Sequence, residues 1–159
     1  MKTRVGIGYD SHRFGEGSAV ILGGVSIPAR RKLLGHSDAD AVSHAVTDAI
    51  LGGSGVGDIG ELFPDTDAAN KGRDSIEMLR IAVARVRAAG WVTVQVDITV
   101  ICEQPKIGPH RAAIRARLAE SLGITDGDVM VKGKTNEMMG WIGRGEGLAV
   151  IAVATLEPI

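Results

Sequence analysis

Three of the four histidines stand beside carboxylates, and their spacing is that of metal ligands. Asp10-Ser-His12 closes a run that alternates like a strand, where residues two apart point the same way, so Asp10 and His12 can converge on one ion. His36-Ser-Asp-Ala-Asp40 leads into His44 and Asp48, and Asp40, His44 and Asp48 fall at i, i+4 and i+8 of one helix face. One Asp and two His make three protein ligands with a fourth position open, the arrangement of a catalytic zinc site rather than a closed structural one. Asp40 or Asp48 would then orient a ligand imidazole from behind. The residues alone also fit plainer roles, a salt-bridged turn and a solvent-facing imidazole, and no local motif such as H-E-x-x-H decides between them.

Three further segments have chemical potential. Asp58-Ile-Gly60-Glu61-Leu-Phe63-Pro64-Asp65-Thr66-Asp67 is rich in carboxylates but lacks the ligand spacing of an EF-hand. It reads either as a well-capped surface turn or as a flap over a polar substrate. Lys132-Gly133-Lys134-Thr135-Asn136-Glu137 offers two ammonium groups, freed backbone N–H groups and a hydroxyl to a diphosphate, with Glu137 able to hold a hard cation. It is not a P-loop, and an exposed turn fits it equally. Gly140-Trp-Ile-Gly143-Arg-Gly145-Glu-Gly147 packs four glycines into eight residues, which implies tight turns or close packing between chains. Cys102, the only cysteine, reads as a small buried apolar residue.

Positioning these groups requires alternating strands and helices. Residues 3–9 read as a strand with Val5 and Ile7 on one face. Residues 19–22 and 25–27 read as a hairpin turned by Gly23-Gly24. A helix is expected over 38–51, opened by a capping box of Ser37 and Asp40, with Val42, Ala45, Val46, Ala49 and Ile50 as its apolar stripe. A second helix is expected over 75–89, with Asp74 at its start and Gly90 as its stop. A third runs from Pro109 to Leu122 and stops at Gly123. Residues 91–101 alternate strictly, which predicts Val92, Val94, Val96, Ile98 and Val100 on one face and a polar opposite face. Strands are also expected over 129–132 and 148–156, the last apolar on both faces like a central or interface strand. Strands and helices alternate loosely, so the fold class is mixed α/β, one small domain spanning 1–159.

Composition narrows the function classes. The 159 residues carry a net charge of −1, which gives no electrostatic footprint for nucleic acid or for an anionic membrane. One cysteine excludes an internal disulfide framework, no stretch reaches about 18 apolar residues, and the first residues have no secretory pattern, so a cytoplasmic protein is expected. Glycine supplies 22 residues and aromatic residues only 3%, so the core must be aliphatic and closely approached by backbone.

In order along the chain stand G-x-x-Y-D-x-H, L-G-G-V-x-I-P, H-S-D-A-D-A-x-x-H-A-x-x-D-A, G-D-I-G-x-L-F-P-D-T-D, Q-P-K, V-K-x-K-T-N-E and the Gly140–Gly147 run. Over essentially its whole length the sequence resembles the 2-C-methyl-D-erythritol 2,4-cyclodiphosphate synthase family of non-mevalonate isoprenoid biosynthesis. The resemblance implies an α/β fold of the α+β type, a mixed sheet with helices on one face, assembled as a homotrimer around a central cavity with active sites at subunit interfaces. It implies a cytidine diphosphate substrate whose own 2-phosphate displaces CMP. Asp10, His12 and His44 would hold zinc and Glu137 a second divalent cation, Mg2+ or Mn2+. His36 and Thr135 would stabilise the transition state, with Ser37, Lys134 and Asn136 beside the phosphates. Asp58, Ile59, Gly60, Phe63, Pro64, Asp65, Thr66 and Asp67 would hold the methylerythritol part. Cys102, Glu103, Gln104, Pro105, Lys106, Ile107 and Gly108 would form the cytidine pocket, and Trp141 and Arg144 would line the region near the trimer axis. A zinc phosphoesterase using water, and a trimeric scaffold with a structural metal, are the competing readings.

Overall fold

The computed structural model describes residues 2–159. Its main sheet has five strands: β1 (Arg4–Glu16), β4 (Arg31–Leu34), β5 (Trp91–Ile101), β6 (Val129–Lys134) and β7 (Gly147–Pro158). They lie in the order β4-β1-β7-β5-β6. Only β5 and β6 run parallel, so the sheet is mixed, and β7 is its central strand as its two apolar faces require. The hairpin of β2 (Ala19–Leu22) and β3 (Val25–Pro28) forms a separate pair, turned by Gly23 and Gly24 at φ of 58° and 72°. Left-handed dihedrals at both turn residues are what a two-residue hairpin loop demands.

One sheet face carries the helices α1 (Ala41–Ser54), α3 (Ser75–Ala88) and α4 (Arg111–Leu122). The one-turn helices α2 (Ile59–Leu62) and α5 (Gly140–Gly143), like β4, have no clear pattern in the sequence because four residues are too few for one. The expected stripe of α1 is buried in full. The helix starts later than expected, because Asp40 itself is the N-cap, accepting from the Ser43 N–H, and it ends on left-handed Gly55. Ser37 takes no part in the cap.

The helix sits unusually close to β1, and glycine is the reason. A Cβ on Gly8 would lie 1.8 Å from the Ala45 carbonyl oxygen, and one on Gly6 would lie 1.9 Å from that of Ala49. Even-numbered residues of β1 face the helices, so Asp10 and His12 follow Gly6 and Gly8 onto the same face. The odd-numbered residues face away. Val5, Ile7 and Tyr9 are 66%, 70% and 55% exposed. In register they align with Thr155, Val153 and Ile151 of β7, and those with Gln95, Asp97 and Thr99 of β5, giving an open face with an apolar centre. On that face Lys132 pairs with Asp97 at 2.9 Å, while Asp97 Oδ1 is buried with no partner among the described residues.

The strict alternation expected along residues 91–101 is broken. A bulge between Thr93 and Gln95 inserts Val94, so Thr93 joins Val96, Ile98 and Val100 in the core and Val92 and Val94 are half-buried. Among the described residues, no helix is long and apolar enough to cross a membrane.

Candidate functional site

β1 delivers Asp10 and His12, and the fourth residue of α1 delivers His44. His12 Nε2 lies 2.8 Å from Asp10 Oδ2, His44 Nδ1 lies 3.2 Å from the same oxygen, and the two ring nitrogens are 3.4 Å apart. No fourth His, Cys, Asp or Glu joins the group among the described residues.

Hydrogen bonds on the far side of each ring decide what faces inward. His12 Nδ1 is 2.8 Å from the Leu34 carbonyl, which can only accept, so Nδ1 carries the proton and Nε2 presents a lone pair. His44 Nε2 lies 2.7 Å from Ser75 Oγ and 3.0 Å from Ser37 Oγ. The Ser75 hydroxyl donates to Asp38, whose other oxygen accepts the Ser75 N–H at 3.1 Å. With its proton committed there, Ser75 Oγ accepts from His44 Nε2–H and leaves His44 Nδ1 as a lone pair too. Three electron-pair donors thus meet at one point, an arrangement that repels itself without a cation. Tetrahedral bonds of about 2.0–2.1 Å set ligand atoms about 3.3–3.4 Å apart. The two separations at His44 match this and the 2.8 Å between Asp10 and His12 needs only a small opening, so the residues fit a metal ion with a free fourth position.

The titration of the metal-free group follows from the same crowding. Burial opposes ionisation of Asp10, but the hydrogen bonds and charges of His12 and His44 outweigh it and hold the carboxyl below its ordinary range. Burial likewise disfavours protonated His12, but Asp10 overrides it and raises the imidazole above its ordinary value.

Neither Asp40 nor Asp48 orients the imidazole as the helical spacing suggested. Asp40 is fully buried, and its oxygens accept from the N–H groups of Gly23 and Gly24 at 2.8 and 2.7 Å and from the Ser43 hydroxyl at 2.8 Å. Burial raises its pKa against these bonds. Asp48 accepts from the Ile59 N–H at 2.8 Å and so ties α1 to the carboxylate-rich segment. The imidazole's nearer partner, Ser75, and the Asp38 that fixes its hydroxyl escaped the sequence reading, while Ser37, expected beside the phosphates, also lies against the ring. The one visible signal of the missed pair was that Ser75 opens a helix.

The other expected residues gather elsewhere. His36 is exposed in the loop before α1, near Ser37. In the carboxylate-rich segment Asp58 caps α2 and Asp67 caps the short helical turn 68–70. Phe63 is buried with Arg73 over its ring, while Asp65 and Thr66 are exposed. A cleft of about 400 Å³ is lined by Cys102, Glu103, Pro105, Lys106, Ile107, Gly108, Gly133, Lys134 and Thr135, among others. A neighbouring cleft of about 660 Å³ includes Gln104, Phe14, Arg31 and Arg144. Cys102 is buried, its thiol pushed up to about 11 chiefly by burial and then by the Glu103 charge, so it is no nucleophile. Trp141 is 39% exposed, and Arg144 pairs with Glu146 at 2.6 Å.

Asp10 and Gly133 lie at the same level of the sheet, but β7 and β5 stand between their strands. Three strand spacings put the metal-binding group and the Lys134–Glu137 loop about 14 Å apart within one chain. Glu137 is not part of the three-residue group.

Fold and site together define a class: a small α+β protein with an open three-ligand metal centre where a helix rests on a mixed sheet. Within it, the chain belongs to the YgbB family, whose model matches residues 3–157. It is 68% identical over 153 residues to the 2-C-methyl-D-erythritol 2,4-cyclodiphosphate synthase of Gemmatimonas aurantiaca, covering 96% of this chain and 92% of that one. Among solved structures it is similar to the bifunctional IspDF from Campylobacter jejuni, with a TM-score of 0.95 and 40% identity. That match covers 99% of this chain and 43% of the longer one. The CDP complex of IspF from Plasmodium falciparum matches with a TM-score of 0.85 and 36% identity, over 98% of this chain and 96% of that one.

Proposed function

We propose that this protein is a 2-C-methyl-D-erythritol 2,4-cyclodiphosphate synthase, its whole length forming one synthase domain. The observation that carries the reading is the convergence of Asp10, His12 and His44 as three lone-pair donors, in a chain 68% identical to a protein of that name. The substrate is 4-diphosphocytidyl-2-C-methyl-D-erythritol 2-phosphate. An oxygen of its 2-phosphate forms a bond to the β-phosphorus, the bond from that phosphorus to the bridging oxygen breaks, and CMP leaves with the electron pair. The product is the 2,4-cyclodiphosphate, which makes the enzyme a phosphorus–oxygen lyase.

Because the substrate brings its own nucleophile, the protein's task is to position anions and neutralise charge. Zinc held by Asp10, His12 and His44, and a second divalent cation, Mg2+ or Mn2+, held by Glu137, supply Lewis acidity and charge neutralisation at the phosphates. His36 and Thr135 donate to the phosphate oxygens as charge builds, with Ser37, Lys134 and Asn136 alongside. The 58–67 segment holds the methylerythritol part and the 102–108 strip the cytidine, an assignment supported by the 400 Å³ cleft that strip lines.

The homotrimer belongs to the same reading, with Trp141 and Arg144 near its axis. It is supported by the apolar open face of Val5, Ile7 and Tyr9, and by a metal group and phosphate loop too far apart in one chain to act on a compact substrate without a neighbouring subunit. A cytoplasmic location is part of the reading, supported by a single buried thiol that needs no oxidising compartment.

The test is incubation of the cytidine substrate with the protein, zinc and magnesium, followed by phosphorus NMR. CMP and a cyclic diphosphate are expected in equal amounts. Release of inorganic phosphate instead would identify a water-using phosphoesterase and overturn the proposal.

A further inference from the structure

The loop that carries Thr135 and Glu137 is held in a conformation its residues do not favour. Glu137 and Met138 stand in succession at φ of 52° and 62°, the left-handed region that residues with a Cβ seldom enter. Two restraints keep them there. One oxygen of Glu103, Oε1, accepts from the backbone N–H groups of Asn136 and of Met138, both at 3.1 Å. Such a turn aims alternate N–H groups into a concavity suited to an anion, and here a carboxylate of the same chain fills it. Gly143 also closes against the loop: a Cβ there would stand 2.1 Å from the Met138 carbonyl carbon.

Glu103 is half-buried and lies on the strip that lines the 400 Å³ cleft, yet its carboxylate oxygen is turned to the loop. We propose that Glu103 is a positioning residue for the reaction. Its carboxylate fixes the left-handed turn and thereby aims the Thr135 hydroxyl and the Glu137 carboxylate at the reacting phosphates, while only its backbone belongs to the cytidine pocket. It also joins the nucleotide strip to the phosphate loop, so the two ends of the substrate meet one rigid unit. This rests on the synthase reading above, because Thr135 and Glu137 have their roles from it.

The experiment compares the full-length parent with Glu103→Ala and Glu103→Gln. Glutamine keeps a carbonyl oxygen that can accept both N–H groups, and alanine does not. E103A is expected to lose about 100-fold in kcat, with CDP affinity by calorimetry equal to the parent's, and E103Q to recover most of the rate. Amide exchange followed by NMR, without substrate or metal, should show the Asn136 and Met138 N–H groups protected in the parent and in E103Q and exchanging freely in E103A. Unchanged kcat in E103A, CDP affinity that falls in step with kcat, or E103Q as slow as E103A would overturn the proposal. If E103A does not fold, the parent and E103Q decide: unprotected Asn136 and Met138 amides in the parent refute the clamp, and amides protected alike in both proteins support it. A parent that releases no CMP refutes the synthase reading, while the exchange pattern still tests the clamp by itself.

Discussion

Ser75 shows how much a residue outside the ligand set governs a metal centre. Its hydroxyl gives its proton to Asp38 and takes one from His44, which leaves His44 Nδ1 free to bind. Ser75→Ala removes the nearer acceptor and leaves only the Ser37 hydroxyl at 3.0 Å, which can donate as well as accept and so lets the ring take either tautomer. Zinc affinity, measured by competition with a chelator, should fall about 10- to 100-fold while the fold survives. The titration of His12 gives a second expectation, with two opposite signs. In the metal-free protein its pKa is raised by Asp10, so the stability it contributes is fully present below 6.5 and is lost as pH rises through the higher folded value. Asp10 adds stability that is present above 3.8 and lost as pH falls through its lowered folded value. Zinc must displace the His12 proton, so metal affinity rises over the same interval in which this pair's contribution to apo stability falls. Melting curves and zinc titrations across that range should move in opposite directions. A parallel trend would mean that His12 is not a ligand.

At the scale of elements, the centre depends on how low α1 rides on β1. Gly6 and Gly8 set that distance, since either Cβ would press into a helix carbonyl at under 2 Å. Gly8→Ala should lift the helix at Ala45, one residue from His44. It is expected to destabilise the chain by about 3 kcal/mol or more, read from urea unfolding, and to weaken zinc binding even in the fraction that remains folded. If only stability changed, the helix would have recovered its seat by some other shift. The far side of the same helix start is held by Asp40, which binds the hairpin turn at Gly23 and Gly24 as well as its own first turn. A buried carboxylate with four donors joins hairpin to helix, so its position within the helix sequence is explained without any part in the metal site.

For the whole molecule the open sheet face is the feature that needs a partner. Val5, Ile7 and Tyr9 form an exposed apolar row on an edge-to-centre stretch of the sheet, and one buried Asp97 oxygen has no donor among the described residues. Under the homotrimer proposed above, both requirements are met by neighbouring subunits. Ile7→Asp should then drop the mass measured by light scattering from three chains towards one. Zinc per chain should hold, because residue 7 faces away from Asp10 and His12, while turnover is lost. A variant that keeps the parent's mass would show that this face is not the contact.

Much of the fold was legible because local rules apply to it. The Gly-Gly hairpin, the stripe of α1, the glycine stops of the helices and the doubly apolar β7 follow from turn chemistry and periodicity, which act over a few residues. Asp10 and His12 were legible as a pair because residues two apart on a strand share a face. Period alone could not say which face of β1 is inside. Val5 and Ile7 share one face, but the glycine face is the one that meets the helix, because close backbone approach outweighs side-chain burial there. Nor could it reveal the bulge at Val94, which shifts the strand's phase by one residue. Asp40 looked like a partner for His44 because helical spacing put them on one side, and the hairpin claimed its carboxylate instead. Leu34 and Ser75 reach the two imidazoles from separate segments, Asp38 acts on His44 through Ser75, and Glu103 reaches the Glu137 loop across more than thirty residues. The ligand types and their spacing belong to the sequence. The protonation state of each ring and the shape of the loop belong to the tertiary structure, because they are set by hydrogen-bond partners that only the folded chain brings within 3 Å or so.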